Sequence, residues 1–266
     1  MAGTMPKLQN TNTLRATYGT VLSYGPAGAG KTRSIGTLQK AKMNPLILAT
    51  EIGETGGLLS LVGLGVPFLK VTSHEELIQV IRDLRKKPGK VEYEGTEFGA
   101  VVLDSVTAWG EFPLERFMEL KGWTDLHGVA SGKDPRAAYG FLAEKGRQLY
   151  KGLFALSAHL YIIAREGLFG GGDEALFAAP ELPGQKLPRE MPGWSDSVVR
   201  LRVIAGKFLM ITRGEGGSPG RTRLPESMKP LPLRANPDIG ALIKYMCGDE
   251  SVYPLLDPTP EKEVKK

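Results

Sequence analysis

Cysteine is nearly absent from this 266-residue sequence, and histidine is scarce. The single cysteine, Cys247, excludes an intrachain disulfide and cannot form a cysteine-based zinc site by itself. The three histidines, His74, His127 and His159, lie far apart in different predicted elements, so their spacing predicts neither a metal site nor a catalytic cluster. We therefore expect a protein of a reducing compartment in which these histidines are structural or surface residues.

Long apolar runs are also lacking, and the N-terminal residues M-A-G-T-M-P-K-L-Q-N contain no apolar core of the kind that a secretory signal requires. With 41% hydrophobic and 24% charged residues, the composition is typical of a globular protein. We expect a cytoplasmic protein without a membrane partner. The formal net charge of +5 slightly favours a polyanionic partner.

Short aliphatic segments alternate with helical patterns, an order typical of βα units around a mostly parallel sheet, so the predicted fold class is α/β. Strands are predicted at 18–24, 45–50, 66–71, 99–104, 159–164, 198–204 and 207–212. The last two form a predicted hairpin that turns at Ala205 and Gly206. Helices are predicted at 31–41, 73–88, 106–121 and 135–157, with a last helix starting at Asn236 and Pro237. The segment 165–192, rich in glycine and proline, is predicted to be a long loop.

Three glycines lie close together in one loop: residues 25–32 read G-P-A-G-A-G-K-T, between the first predicted strand and the first predicted helix. Its glycines let the backbone curl so that successive N–H groups converge on phosphate oxygens. Lys31 is expected to reach the β- and γ-phosphates, and Thr32 to supply a hydroxyl to Mg²⁺. The pattern is that of a P-loop for ATP. The expected contact set is Gly25, Pro26, Ala27, Gly28, Ala29, Gly30, Lys31, Thr32 and Arg33.

A Mg²⁺-nucleotide site also needs an acidic residue at the end of a neighbouring strand, and Asp104 closes the buried strand G-A-V-V-L-D. Hydrolysis requires a second carboxylate to polarise the attacking water. The residue after Asp104 is Ser105, which argues against the AAA+ pattern of two adjacent acids. Glu51, closing P-L-I-L-A-T-E, is the candidate, with Glu54 as an alternative.

The P-loop, the glutamate at the end of the next strand and the segment V-V-L-D-S-V-T-A-W together resemble the RecA-type ATPase core over residues 18–245. They are especially similar to small phage-encoded core-only members that act in single-strand annealing and recombination. The resemblance implies a RecA-like P-loop NTPase domain over 18–247, with a mostly parallel sheet flanked by helices and a C-terminal β-hairpin. An N-terminal arm (1–17) and a disordered charged tail (248–266) are expected around it.

This resemblance also implies a DNA-stimulated ATPase that uses ATP and Mg²⁺, located in the host cytoplasm if phage-encoded. Catalytic roles fall on Lys31, Glu51 and Asp104, and a sensor of the γ-phosphate is expected at Arg165 or Glu166. The partners implied are ATP and ADP, single-stranded DNA, a filament or ring of identical subunits, and a single-strand-binding or annealing protein.

In the family, two loops facing a central axis hold single-stranded DNA, and here they correspond to 122–134 and 167–192. The candidate contacts are Trp123, Lys133, Phe169, Lys186 and Arg189. The segment P-G-R-T-R-L-P resembles the region that offers a basic residue to the neighbouring subunit's nucleotide, which makes Arg221 and Arg223 the candidates for an arginine finger.

Alternative functions share the P-loop. A small-molecule or nucleotide kinase would need an acceptor site and an arginine-bearing lid, for which the segment 165–192 is the candidate. A helicase loader, a packaging ATPase or an ATP-gated binding module would use the same nucleotide contacts. Glu51 together with Asp104 and Ser105 suits water activation better than phosphoryl transfer to an acceptor.

Overall fold

A computed structural model describes residues 16–51, 56–126, 134–171, 174–184 and 186–258. The strands are β1 (Thr20–Gly25), β2 (Pro45–Ala49), β3 (Phe68–Lys70), β4 (Val91–Tyr93), β5 (Thr96–Phe98), β6 (Ala100–Asp104), β7 (His159–Gly171), β8 (Glu174–Pro180), β9 (Ser197–Ile204), β10 (Lys207–Ile211), β11 (Arg221–Thr222) and β12 (Arg234–Ala235). The α-helices are α1 (Ile35–Lys40), α2 (His74–Leu84), α3 (Val106–Trp109), α4 (Glu111–Lys121), α5 (Pro135–Phe154), α6 (Lys186–Trp194), α7 (Ile239–Met246) and α8 (Tyr253–Leu256), and 3₁₀ helices cover Gly56–Leu61 and Glu250–Val252.

The main sheet has the strand order β12-β10-β9-β1-β7-β6-β2-β3, with β8 paired to β7 and β11 to β9. All neighbours from β9 to β3 are parallel, while β10 and β12 are antiparallel. The carboxyl ends of the parallel strands therefore meet at one edge, where Gly25 lies beside Arg165 and Ala49 beside Asp104. The α/β class, the mostly parallel sheet and the C-terminal hairpin are as predicted.

Helices cover both faces of this sheet, because successive strand residues point to opposite sides. Leu22 and Tyr24 face a core that includes side chains of α2 to α6. Val21 and Tyr161 face a second core, built with α1, α7 and α8. Since both faces are covered, β6 is buried throughout its length, which explains its uninterrupted apolar sequence.

Local sequence signals placed several boundaries correctly. The hairpin between β9 and β10 turns at Ala205 and Gly206, whose φ angles of 50° and 75° suit a two-residue β-turn. At the start of α2, the N–H of Glu76 donates to Ser73 Oγ at 3.1 Å. The Glu76 carboxylate in turn accepts the N–H of Thr72 at 2.8 Å, so Ser73 and Glu76 form a capping box whose return bond is shifted by one residue.

The long loop predicted over 165–192 is wrong. In the structure β7 continues to Gly171, β8 returns antiparallel to it, and α6 follows at Lys186–Trp194. The frequent glycines of this segment interrupt the alternation of apolar and polar residues that predicts a strand. The two strands form because β8 and β7 hydrogen-bond to each other, although the local sequence has little strand propensity.

Two helix boundaries also differ from those expected. The helix predicted over 106–121 divides at Gly110, where a Cβ would lie only 2.8 Å from Leu182 Cδ2, so glycine lets the chain after β8 pack against the helix. The last long helix is capped by Asp238, whose Oδ1 accepts the N–H of Ala241 at 2.8 Å. The side-chain amide of Asn236, where this helix was predicted to start, donates instead to the carbonyl of Leu255.

The start of the predicted tail is ordered. Residues 250–256 form a short 3₁₀ helix and α8, and Leu256 is fully buried in the second core. Residues 259–266 lie outside the described residues, as does nearly all of the predicted arm.

Candidate functional site

The carboxyl edge of the sheet brings together the loop after β1 and the acids that follow β2 and β6. The N–H of Thr50 donates to the Asp104 carbonyl at 2.9 Å, and Thr50 Oγ1 donates to the Ser105 carbonyl at 2.6 Å. These bonds extend the pairing of β2 with β6 by one residue. They hold Glu51 beside the end of β6, so residues far apart in sequence form one site.

The glycine-rich loop has the backbone that its composition predicts at two positions. Gly28 and Gly30 have φ angles of 75° and 84°, in the left-handed region that residues with a side chain rarely adopt. After the loop, the N–H of Ser34 bonds to the Gly30 carbonyl at 2.9 Å, and residues 31–34 form turns. Regular α-helix begins only at Ile35, one turn later than predicted, because these residues also make i to i+3 bonds.

Lys31 folds back over the loop. Its Nζ donates to the carbonyl oxygens of Gly25 and Pro26 at 2.7 and 2.8 Å. Burial lowers the pKa of Lys31, while the nearby charges of Asp104 and Glu51 act in the opposite direction. The ammonium group is thus held at the mouth of the loop by neutral carbonyls, from which an anionic phosphate can draw it.

Thr32 and Asp104 are in direct contact, since Thr32 Oγ1 donates to Asp104 Oδ2 at 2.9 Å. Asp104 is buried, and burial raises its carboxyl pKa to about 6, although the Thr32 hydroxyl and Lys31 favour the ionised form. Ser105, not Asp104, caps α3 by accepting the N–H of Ala108 at 3.3 Å. Asp104 is therefore free of a capping role, and the hydroxyl and carboxylate form a pair of hard oxygen donors that fits Mg²⁺.

Replacing Asp104 with asparagine is expected to stabilise the nucleotide-free protein above pH 6. With its carboxyl pKa raised from 3.8 to about 6 on folding, the wild type loses stability as pH rises from about 4 to 6. The loss is at most about 3 kcal/mol. Thermal unfolding at pH 7.5 and pH 4 measures the effect: the variant should melt higher at pH 7.5 and converge with the wild type at pH 4. Equal melting temperatures at both pH values, or the same gain in the exposed control Glu115→Gln, would contradict this account.

Glu51 lies half-buried at the same edge. Ser105 Oγ is 3.5 Å from Glu51 Oε1 and can donate to it, and the Glu51 charge contributes to the raised pKa of Asp104, after burial. Its carboxylate therefore borders the pair formed by Thr32 and Asp104. The alternative, Glu54, lies outside the described residues.

The two sensor candidates have different surroundings. Arg165 is half-exposed, with its guanidinium 3.4 Å from the Glu181 carboxylate and 3.8 Å from that of Glu111. Glu166 is largely buried and makes a bidentate ion pair with Arg200, with both N to O distances at 2.7 Å. Arg165 can therefore reorient toward a ligand more easily than Glu166, whose carboxylate joins β7 to β9.

The arginine-finger candidates lie on and just after β11. Arg221 Nη2 donates to three backbone carbonyls, those of Pro192, Gly193 and Ser195, at 2.8, 2.8 and 3.2 Å. Arg223 Nη2 donates to Gly193 at 3.0 Å. The carbonyls that these arginines contact belong to residues 192–195, which precede β9. They lie at the sheet edge opposite the P-loop, because β9 runs parallel to β1. The contacts favour a structural role within the subunit, and the finger assignment stays a prediction.

The aromatic candidates for DNA contact pack within the chain. Trp123 meets Phe117 edge to face, with ring centroids 5.5 Å apart, and borders the first core. Phe169 stacks on Phe177 across the β7–β8 hairpin, with centroids 6.1 Å apart. Of the two residues, only Phe169 lies on the β7–β8 hairpin, which extends beyond the main sheet at the edge that carries the P-loop.

The basic candidates are separate from these rings. Lys186 and Arg189 are exposed on α6, and Lys133 lies outside the described residues. Helix α6 leads the chain from β8 back to the start of β9, at the sheet edge opposite the P-loop. Lys186 and Arg189 therefore do not form one surface patch with Phe169.

One residue of the site carried no sequence signal. A cavity of about 450 Å³ beside the P-loop is lined by Arg33, Thr37, Phe208 and Pro237, among others. The Phe208 ring abuts the loop, because a Cβ at Gly30 would lie 3.1 Å from its Cδ1, and the Arg33 guanidinium stands 5.9 Å from the ring centroid. Phe208 follows a hairpin turn distant from any motif, so only the pairing of strands reveals its place.

Across the described ranges, no helix is both long and apolar enough to cross a membrane. The same ranges contain no group of three or more His, Cys, Asp and Glu side chains that could hold a metal ion. A P-loop magnesium site does not require such a group, since it uses a hydroxyl, water and phosphate oxygens beside one carboxylate.

No curated protein matches the sequence. Among solved structures, the chain is similar to a KaiC-like protein, PH0186, from the hyperthermophilic archaeon Pyrococcus horikoshii OT3, at 13% identity and a TM-score of 0.37 over 72% of this chain and 76% of that one. A similarity this weak supports no conclusion about this chain, and the fold is defined here by the strand order of the sheet.

Residues 17–224 match a family of AAA domains, and the match runs from just before β1 to just after β11. Ser105 after Asp104, which argued against the AAA+ pattern, therefore does not exclude an AAA domain. The match covers most of the chain and includes the P-loop, Glu51 and Asp104. The chain belongs to this AAA domain family of P-loop ATPases.

Proposed function

We propose that the protein binds ATP with Mg²⁺ and hydrolyses it, and that it acts on single-stranded DNA in recombination or annealing as an assembly of identical subunits. The observation that carries the ATPase assignment is the meeting of Lys31, Thr32, Asp104 and Glu51 at one sheet edge. Burial is the main cause of the lowered pKa of Lys31 and of the raised pKa of Asp104, and the charges of Lys31, Asp104 and Glu51 act on one another in addition.

Each of these side chains has a separate task. Lys31 leaves its two carbonyl partners and neutralises charge on the β- and γ-phosphates. Thr32 and Asp104 would hold Mg²⁺, which when bound supplies positive charge to the phosphate oxygens. Glu51 accepts a hydrogen bond from the attacking water and takes its proton. ADP and phosphate are the products.

The cavity beside the P-loop offers a place for the nucleotide base. Phe208 presents a ring that is 40% exposed, and Arg33 lies over it. A planar base can stack on such a ring or on the guanidinium plane. We therefore assign the base to the space between Arg33, Phe208 and Pro237.

The β7–β8 hairpin is the element best placed to link nucleotide to DNA. It begins at Arg165 and Glu166, beside the nucleotide edge, and extends to Gly171. Leu168 and Leu176 on it are 72% and 64% exposed. Exposed apolar and aromatic side chains on a hairpin can stack with unpaired bases, and the net charge of +5 favours phosphate neutralisation.

The ATPase rate with and without single-stranded DNA tests this proposal. We expect DNA to raise phosphate release, and we expect binding in the presence of a non-hydrolysable ATP analogue to fall steeply with salt and depend little on base sequence. Phosphate release that DNA leaves unchanged, together with no DNA binding at low salt, would favour a kinase, a helicase loader or a packaging motor instead.

Paired variants make this test sharper. Phe169→Ala should weaken DNA binding and its stimulation of the ATPase, while the basal rate stays near that of the wild type. Lys186→Ala with Arg189→Ala tests the α6 cations, and Arg85→Ala with Lys86→Ala removes the same charge from the end of α2 as a control. An equal loss in both charge-removal variants would show that net charge alone, not α6, attracts DNA.

A further inference from the structure

A chain of hydroxyl groups lies buried beneath the P-loop. Tyr161 Oη, on β7, is 2.8 Å from Ser23 Oγ on β1 and 2.7 Å from Ser34 Oγ at the start of α1. Ser34 Oγ donates to the Lys31 carbonyl at 2.5 Å. Tyr161 and Ser23 are 0% exposed and Ser34 is 5% exposed, so water does not compete for these bonds.

The protons of this chain can be ordered in one direction. Each hydroxyl carries a single proton, and the Lys31 carbonyl can only accept. Because Ser34 gives its proton to that carbonyl, the proton between Tyr161 and Ser34 comes from Tyr161, whose Oη also lies 3.4 Å from the same carbonyl. Ser23 then donates to Tyr161. Burial raises the pKa of Tyr161, so its phenol keeps the proton that this order requires.

The target of the chain is a peptide group that contacts the nucleotide site on its other side. The Lys31 carbonyl and the Thr32 N–H belong to one planar trans peptide and point in opposite directions. A bond that draws the carbonyl toward β7 therefore aims the Thr32 N–H away from the core. In a P-loop, such backbone N–H groups bind the phosphates.

We propose that Tyr161 is a positioning residue for the nucleotide: through Ser34, it holds the Lys31–Thr32 peptide with its N–H directed at the phosphate. This inference rests on the proposed ATP binding. The other side of α1 is held too, because Thr37 Oγ1 donates to the Ser34 carbonyl at 2.7 Å and accepts the N–H of Gly240, on α7, at 3.1 Å. The start of α1 is thus anchored to β7 and to α7.

Tyr161→Phe tests the proposal, since it removes the middle hydroxyl and keeps the ring. A backbone donor to phosphate acts alike in the ground and transition states, so KM and the Kd for Mg-ATP should rise about tenfold while kcat changes little. The matched control is Tyr150→Phe. Tyr150 is also buried in the core, but its hydroxyl has no hydrogen-bond partner among the described residues, so that variant should bind Mg-ATP like the wild type.

A double variant separates positioning from stability. Adding Ser23→Ala to Tyr161→Phe removes the hydroxyl left without its acceptor and should recover thermal stability of the nucleotide-free protein. The affinity loss should remain, because Ser34 still lacks its donor. Recovery of affinity along with stability would overturn the proposal, as would wild-type affinity in Tyr161→Phe.

Folding failure of Tyr161→Phe does not end the test. Ser34→Ala removes the short bond to the Lys31 carbonyl and leaves only the 3.4 Å contact from Tyr161 Oη, so Kd should again rise, and wild-type affinity there would equally overturn the proposal. Failure of the underlying function is distinct: it would appear as a wild-type protein that does not bind Mg-ATP, or binds it no better than Lys31→Ala.

Discussion

Replacing Glu51 with glutamine should slow ATP hydrolysis by at least about a hundredfold, the usual scale for removing a general base. Glutamine preserves the size of the side chain and can still accept from Ser105 Oγ, so the site should keep its shape. It cannot take the proton of the attacking water. ATP binding, measured by titration with a fluorescent analogue, should remain within about threefold of the wild type, because the base acts mainly in the transition state.

Two variants serve as comparisons for Glu51→Gln. Glu115→Gln makes the same chemical change on an exposed position of α4 and should leave the rate unchanged. Glu54→Gln tests the alternative carboxylate. If Glu54→Gln hydrolyses slowly and Glu51→Gln does not, the base has been assigned to the wrong residue.

Replacing Lys31 with alanine should weaken Mg-ATP binding about ten- to a hundredfold and reduce turnover to near the background, since hydrogen bonds to charged groups contribute about 1.5 to 3 kcal/mol. The variant should stay folded: in the nucleotide-free protein, alanine removes the bonds of the Lys31 ammonium to the Gly25 and Pro26 carbonyls at the open mouth of the loop, while the backbone bonds of Lys31 remain. Equilibrium binding and phosphate release measure the two effects, and far-ultraviolet circular dichroism confirms folding.

Lys86→Ala is the matched control for this change, because Lys86 is an exposed lysine that pairs with Asp83 at the end of α2. It should bind Mg-ATP like the wild type. If a folded Lys31→Ala variant binds and hydrolyses ATP as the wild type does, the P-loop is not the nucleotide site and the ATPase assignment must be abandoned.

The meeting of the P-loop with Glu51 and Asp104 was predictable because its signals are local. The P-loop is a continuous motif, and Glu51 and Asp104 each close a buried strand. Parallel strands end at one edge, so the sequence alone predicts that the acids lie near the loop. The contact of Thr32 with Asp104 at 2.9 Å agrees with this expectation.

Other features could not be predicted because they depend on contacts between distant residues. The β7–β8 hairpin has a glycine-rich sequence typical of a loop, and it becomes a pair of strands only through mutual hydrogen bonding. Arg221 was a candidate for an arginine finger, and nothing in the sequence indicates that its guanidinium bonds to the carbonyls of Pro192, Gly193 and Ser195. Neither arrangement leaves a periodic pattern in the sequence.

The sequence by itself determined the α/β class, the P-loop and the acids beside it, since backbone geometry ties each of these to a short run of residues. Only the tertiary structure decided which side chains surround that loop. Tyr161 reaches Ser34 across 127 positions, and Phe208 reaches Gly30 through a hairpin at the far side of the sheet. Such pairings follow from the strand order, which is settled by burying both sheet faces at once and not by any local preference.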